Sequence, residues 1–395
     1  MPKALIISLL LLISGCSSLT RPTDTVSRLP GLDAVAAAAV EAGFPGVTVA
    51  RIEPDGTILS GAAGLADRKS GLAMTPTSLI HGASTTKAVT AAAILLLVDR
   101  GALSLEAKLP DLLPPADITG LPYAAEITLR QLLLHQSGIY SPNNNLTYLA
   151  RYIGPERLEK PFWSPGEIVA FAADPENPPA SLPGAGQEYS DINYVLLSMI
   201  AGRASGRPFK AFVGSNIFAP LGMEASYFLS DQPSRARTRG YTVDSEILRS
   251  IGLDAALEAD NAGFIDTTRA QEQSDGAAGI ITTTIDMVRF AAALTRGDFL
   301  SPASKALVLE VADQARGKEG AGALGVLRGY DLSYGLIVAA EGDGPGTNVV
   351  WALHMDTGRI VAAAINQFGR WDENDYLLNI LVPAALAVAP PTAEE

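Results

Sequence analysis

Ser84 and Lys87, in the run Ser84-Thr85-Thr86-Lys87, are the pair whose types and spacing could do chemistry. Residues three apart share one face of a helix, so the lysine amine would stand beside the serine hydroxyl. A serine is a weak nucleophile until a base takes its proton. A lysine can serve once burial or a nearby cation disfavours its charged form, which predicts Lys87 unprotonated at neutral pH. The apolar run Ala91 to Val98 makes such burial available. A helix beginning here would also turn free N–H groups toward a developing oxyanion. An isolated S-x-x-K occurs by chance, with an exposed first-turn lysine. Of the eight lysines, however, only Lys87 has a serine three residues before it, and it falls at a helix start.

A second element is Tyr189-Ser190-Asp191-Ile192-Asn193-Tyr194, five residues beyond Gly184. A tyrosine phenol can shuttle a proton when a neighbouring cation lowers its pKa. Taken alone, this segment reads first as a partly buried aromatic in a loop.

These residues must be positioned by the rest of the chain. Leu32 to Ala42 has the pattern of a helix. Gly46 to Ile52 and Thr57 to Gly61 are β-rich runs joined by Pro54-Asp55-Gly56, a hairpin signal. Three more such runs lie near the other end: Tyr334 to Ala339, Asn348 to His354 and Arg359 to Ile365, the last two separated by Met355-Asp356-Thr357-Gly358. The strongest helix runs through Ala88 to about Arg100 and stops at Gly101. A last helix is expected over residues 374–387. The middle reads as helices and Pro/Gly-rich loops. Two strands at the start and three at the end could therefore form one antiparallel sheet around a mainly helical insertion, an α/β (α+β) architecture.

The N-terminus reads as an address. One lysine precedes the apolar run Ala4 to Ile13, about half the length that spans a bilayer. The run ends at Ile13-Ser14-Gly15-Cys16, and Cys16 is the only cysteine in the 395 residues. A lone thiol in a secreted chain has no disulfide partner, whereas a lipidation site needs none. The division expected is residues 1–15 as signal peptide, 16–30 as tether and 31–390 as one domain. Within that domain the sheet would use about 31–80 and 275–390, and the helices about 100–270.

Charge and motif content exclude several function classes. Net charge is −13, from 29 Lys and Arg against 42 Asp and Glu, a poor match to a phosphate backbone. Three scattered histidines (His81, His135 and His354) form no ligand spacing, so neither metal nor cofactor is expected. No G-x-S-x-G occurs, which removes the α/β-hydrolases.

Together the motifs resemble the serine hydrolase family of class C β-lactamases, low-molecular-weight penicillin-binding proteins and related esterases. Besides Ser84–Lys87 and Tyr189, the likeness includes Leu132-Leu133-Leu134-His135-Gln136-Ser137-Gly138-Ile139. It also includes Pro220-Leu221-Gly222-Met223, Ala277-Ala278-Gly279-Ile280 and Ser333-Tyr334-Gly335-Leu336, in family order from about Gly46 to Gln367. The resemblance implies a β-lactamase-like sheet built from both chain ends and flanked by helices. It implies Ser84 as the acylated nucleophile, Lys87 and Tyr189 as the general-base pair, and a structural role for His135. Asn is usual in the family where Asp191 stands, and helps hold the substrate amide there. The third family motif, Lys-Thr-Gly or His-x-Gly before a Pro-Gly turn, falls on Ala340-Glu341-Gly342 when counted back from Pro345-Gly346. Backbone N–H groups of Ser84 and Asp343 would then form the oxyanion hole, or Gly344 if the alignment slips by one. Asp191 and Gly342 would line the substrate site. With no cation at Ala340, and with Asp191, Glu341 and Asp343 nearby, an anionic substrate is disfavoured.

The function expected is a serine hydrolase cutting an ester or amide through an acyl-enzyme, more esterase-like than β-lactamase-like. The alternatives are a β-lactamase, a D-alanyl-D-alanine carboxypeptidase, a D-aminopeptidase, or a penicillin-binding-like module without turnover. The partners expected are a small ester, amide or peptide substrate and a membrane reached through lipidated Cys16, with no nucleic acid. Likeness to bacterial lipoproteins, with Ser17 after the cysteine, implies a periplasmic protein at the outer membrane.

Overall fold

The computed structural model describes residues 26–390, apart from short stretches within 142–161, 233–273, 316–326 and 370–375. Cys16 and the leader lie outside the described residues. One nine-stranded sheet runs through the molecule. Its strands are β1 (Val26–Arg28), β2 (Gly46–Ile52), β3 (Ile58–Asp67), β4 (Leu72–Ala73), β5 (Ala321–Gly322), β6 (Leu327–Leu332), β7 (Gly335–Gly344), β8 (Thr347–His354) and β9 (Ile360–Ile365). The spatial order is β1-β3-β2-β9-β8-β7-β6-β5, with β4 hairpinned onto β3. Every pairing in this sheet is antiparallel except β1 with β3.

The junction between the two chain ends is β2 against β9, with Ile52 opposite Ile360 and Val47 opposite Ile365. Both strands are buried along their whole length. That fits runs rich in Val, Ile and Ala, since a strand covered on both faces reads as continuously apolar. Five strands were expected. The additional ones are short, apart from β6, which flanks β7, and the expected runs extend to Asp67 in β3 and to Gly344 in β7.

Helices cover both faces. On one side α1 (Pro30–Glu41) and the C-terminal turns Leu377–Leu381 and α5 (Val382–Ala387) bury Leu32, Ala36, Leu377 and Leu381 against Val49, Ala363 and Ile365. The fully buried Arg51 fastens this layer: its Nη1 donates to the Ala385 and Val388 carbonyls at 2.6 and 2.7 Å, and its Nε lies 2.7 Å from Glu53. The opposite face packs on α2 (Thr86–Asp99), the long helix α3 (Asp191–Ser205) and α4 (Thr284–Thr295). Every residue of α2 from Thr86 to Leu97 is buried. A helix apolar all round belongs inside, and its sequence of Ala, Ile and Leu supplies that. Apart from α3, the described part of the inserted region between Arg100 and Ala270 consists of short helices, loops and paired two-residue strands.

Candidate active site

The 3₁₀ turn Ala83–Thr85 leads directly into α2, and Ser84 is its middle residue. Ala83 holds a positive φ of 45° although it carries a side chain. Such a conformation costs about 1–3 kcal/mol and persists only where the surroundings impose it. Here Gly82 N–H donates to the Ile280 carbonyl at 2.8 Å, while the Thr85 hydroxyl and N–H both return to the Gly82 carbonyl. The turn lifts Ser84 Oγ to within 2.9 Å of the Tyr189 hydroxyl and 3.1 Å of Lys87 Nζ. Sequence spacing and structure agree on this pair.

Lys87 is fully buried. Its Nζ donates to Ser84 Oγ and, at 3.0 Å, to the Ala277 carbonyl, and it lies 2.6 Å from Asp191 Oδ1. Two hydrogen-bond acceptors and one carboxylate oxygen at ion-pair distance surround the nitrogen. Burial favours the expected unprotonated amine, and the Asp191 carboxylate opposes it. A cation buried without a partner would be pushed to neutrality, and Asp191 counters that pressure. Asp191 itself, expected at the substrate amide, is 4% exposed and faces the lysine.

Tyr189 completes the cluster, its ring 4.9 Å from Lys87 Nζ. Burial pushes its phenol well above the ordinary tyrosine range, Lys87 pulls it down and Asp191 pushes it up. The expected lowering by the lysine is therefore outweighed by burial. The tyrosine is set from behind by His135, whose ring centroid lies 4.6 Å away. His135 Nδ1 accepts the Ser190 N–H at 3.1 Å and meets Asn193 Nδ2 at the same distance, and Ser137 Oγ donates to Asn193 Oδ1 at 2.6 Å. These bonds fix the entry to α3, and with it both Tyr189 and Asp191. His135 thus packs behind Tyr189 and anchors the first turn of α3.

Strand β7 passes directly beside the nucleophile. A Cβ built on Gly342 would lie 2.7 Å from the Gly82 carbonyl oxygen, 2.9 Å from Thr85 N and 3.0 Å from Ser84 N. Only glycine permits that approach. It sets the Gly342 backbone beside the Ser84 N–H, beyond the last residue of β7 paired with β6, Ala340. Ala340 is fully buried in the larger core, so a cation there would face packed side chains. Glu341 accepts a hydrogen bond from the Tyr330 hydroxyl, which ties its carboxylate to β6. Asp343 is exposed. Its carboxyl is raised by desolvation, with Lys87 pulling down and Asp191 pushing up. The acidic trio expected around the substrate thus resolves into three environments: Asp191 buried against Lys87, Glu341 bonded to Tyr330, and Asp343 an exposed residue whose carboxyl is partly desolvated.

Sequence reading missed the Lys87–Asp191 pair, the Ala277 carbonyl and the strained Ala83. Asp191 had a signal, since it follows Tyr189 by two residues on the first turn of a helix. Among the described residues no group of three or more His, Cys, Asp or Glu could hold a metal ion. The cluster can generate an alkoxide nucleophile, hold and move its proton, and receive an oxyanion between β7 and the Ser84 turn.

A family model described as Beta-lactamase matches residues 32–383. Penicillin-binding protein 4* of Bacillus subtilis (strain 168) is 28% identical over 283 residues, which are 71% of this chain and 58% of that protein. Esterase EstB of Burkholderia gladioli is 33% identical over 225 residues, 54% of each chain. The matches thus span little more than half the length of these curated relatives. The crystal structure of D-amino acid amidase from Ochrobactrum anthropi SV3 complexed with L-phenylalanine matches with a TM-score of 0.75 at 24% identity, covering 90% of this chain and 97% of that one. That likeness is one of fold.

Proposed function

The chain belongs to the Beta-lactamase family of serine hydrolases, and from that premise we propose that it cleaves esters or amides through an acyl-enzyme on Ser84. The observation that carries the proposal is the single hydrogen-bonded cluster of Ser84, Lys87 and Tyr189. In this reading Ser84 Oγ attacks the substrate carbonyl, and its proton passes to the Lys87–Tyr189 side. The carbonyl oxygen collects charge at the N–H groups of Ser84 and Asp343. Proton return expels the leaving group, and water then repeats the steps on the acyl-enzyme. Preorganised N–H donors of this kind are worth about 10²–10³ in rate each.

We further propose an esterase-like preference for substrates without a carboxylate. Buried Ala340 offers no cation, and exposed Asp343 sets a negative group beside the oxyanion position. A second reading, an amidase for amides bearing a free α-amine, draws on the same Asp343 carboxylate, which would attract an ammonium. The purified protein should be labelled on Ser84 by a fluorophosphonate, and Ser84→Ala should not. It should then be assayed on short-chain aryl esters, a penicillin and D-amino-acid amides. Penicillin turnover equal to or above that of the esters refutes the preference, and absence of Ser84 labelling refutes the mechanism.

We also propose that Cys16 is lipidated and holds the protein on the periplasmic side of a bacterial membrane, the outer one by lipoprotein likeness. Support comes from the apolar leader ending at the sole cysteine. No helix of the described residues is long and apolar enough to cross a membrane. Cys16→Ser should release the protein or leave its precursor unprocessed, and unchanged fractionation and processing would contradict the anchor.

A further inference from the structure

Asp191 stands where the family resemblance leads one to expect an asparagine, and in the structure it faces Lys87. Its carboxylate is buried, 2.6 Å from Lys87 Nζ, and Lys87 is itself 0% exposed. An amide in that place could at most accept one N–H from the lysine. A carboxylate neutralises it and can also receive a proton from it. Two ionisable groups this close titrate as a unit, so the proton count belongs to the pair.

We propose that the Lys87–Asp191 pair, and not Lys87 alone, is the proton acceptor for Ser84, with Asp191 the positioning residue that makes the resting lysine an ammonium. This rests on the acyl-enzyme reading above. The step balances as follows. As Ser84 Oγ bonds to the acyl carbon, its proton moves to Lys87 Nζ and one ammonium proton moves to the Asp191 carboxylate. The pair ends as ammonium and neutral carboxylic acid. The extra proton then returns through Lys87 to the leaving oxygen or nitrogen as its bond to the acyl carbon breaks, and Asp191 is again a carboxylate. The competent form is ammonium plus carboxylate, so activity is lost on the acid side when the pair takes up a further proton.

Other groups face the pair. Ser84 and Tyr189 lie on the reacting side, with His135 behind the tyrosine, and the Ala277 carbonyl caps Nζ. From β7, Asp343 interacts electrostatically with both members, and Arg328 on β6 with Asp343. Of these, Asp343 and His135 are the groups whose titration could imitate that of the pair.

The test is the second-order rate of Ser84 labelling by a fluorophosphonate, followed from about pH 4 to 9. The wild type should hold its plateau well into the acid range, because the competent form is lost only when the ammonium–carboxylate pair takes up a further proton. Asp191→Asn keeps the shape but leaves Lys87 without a counter-charge. Lys87 must then lose its own proton to act, so the acid limb should move up by about one pH unit or more, a tenfold loss per unit below it. Asp191→Glu should bring the limb back toward the wild-type pH even at a lower plateau. A purely structural Asp191 would lower the plateau of both variants and leave the limb in place. That result overturns the proposal. So does a wild-type limb already near pH 8, which needs no variant to fold, or a limb moved by Asp343→Asn and not by Asp191→Asn. Each of these outcomes still shows Ser84 labelled, whereas an unlabelled Ser84 defeats the acyl-enzyme reading itself.

Discussion

Adding one methyl group at Gly342 probes the approach of β7 to the nucleophile. The new Cβ would lie 2.7 Å from the Gly82 carbonyl oxygen, 2.9 Å from Thr85 N and 3.0 Å from Ser84 N, where ordinary contact begins at 3.4 Å. All three neighbours are backbone atoms, so no rotamer change absorbs the overlap. Either β7 or the Ala83–Thr85 turn must retreat by much of the gap between 2.7 and 3.4 Å. Overpacking of this kind costs about 1–3 kcal/mol, and each kcal/mol lowers Tm by about 2–4 °C in a chain of this order of size. The same retreat opens the space between the Ser84 N–H and the Asp343 backbone. A misplacement of about 1 Å can cost about 10²-fold in rate, so Gly342→Ala should lose about 10- to 100-fold in kcat/KM on an aryl ester. The control is Gly166→Ala in the helix Pro165–Ala172, where a Cβ meets nothing within 4 Å. It should keep full activity and gain up to about 1 kcal/mol in stability. Steady-state kinetics and thermal unfolding of both variants decide the matter. Full kcat/KM in Gly342→Ala would show that β7 does not brace the nucleophile turn, and the oxyanion assignment would fall with it.

Lys87→Arg should be nearly inactive, because a guanidinium cannot release a proton in a protein; substantial ester turnover would point to a different base. Tyr189→Phe removes the hydroxyl 2.9 Å from Ser84 Oγ and should lower kcat/KM by about 10²–10⁴, the range of a lost general acid or base. A loss confined to KM would assign the phenol to binding instead. Arg51→Met strands the carbonyls that Arg51 holds at Ala385 and Val388. It should cost about 1–3 kcal/mol in chemical denaturation while leaving kcat/KM of the folded protein intact, because Arg51 serves the layer of α1 and α5. Ala340→Lys places an ammonium at a fully buried position; it should lower Tm, and gain of penicillin acylation without that loss would contradict the packing described.

Where local pattern carried the information, it was legible. Ser84 and Lys87 are three apart on a helix whose apolar character reads directly, and their 3.1 Å contact follows from that periodicity. Strands β2, β3, β8 and β9 are marked by β-rich runs with Pro54-Asp55-Gly56 and Met355-Asp356-Thr357-Gly358 between them. Strand β6 was not legible. Leu327-Arg328-Gly329-Tyr330-Asp331-Leu332 mixes glycine and charge, and it is a strand because β7 supplies its hydrogen bonds. The same limit applies to the site. Nothing local says that Asp191 meets Lys87, because that contact comes from the packing of α3 against α2. Nor does sequence show that Ala340 points into the core while Glu341 is claimed by Tyr330. Spacing reports neighbours on one element, and these contacts join two.

The seam between β2 and β9 also sets a timetable. Gly46–Ile52 is made early, yet its partner Ile360–Ile365 emerges about 300 residues later. At about 5–20 residues per second of synthesis, that interval is about 15–60 s. Throughout it the β2–β3 hairpin has an apolar edge with no strand to cover it, the condition in which chains recruit holding factors or pair wrongly. Strand β7, which braces the Ser84 turn, is equally late. An incomplete chain therefore carries its nucleophile without the strand beside it, and catalytic competence waits until β7 has been made.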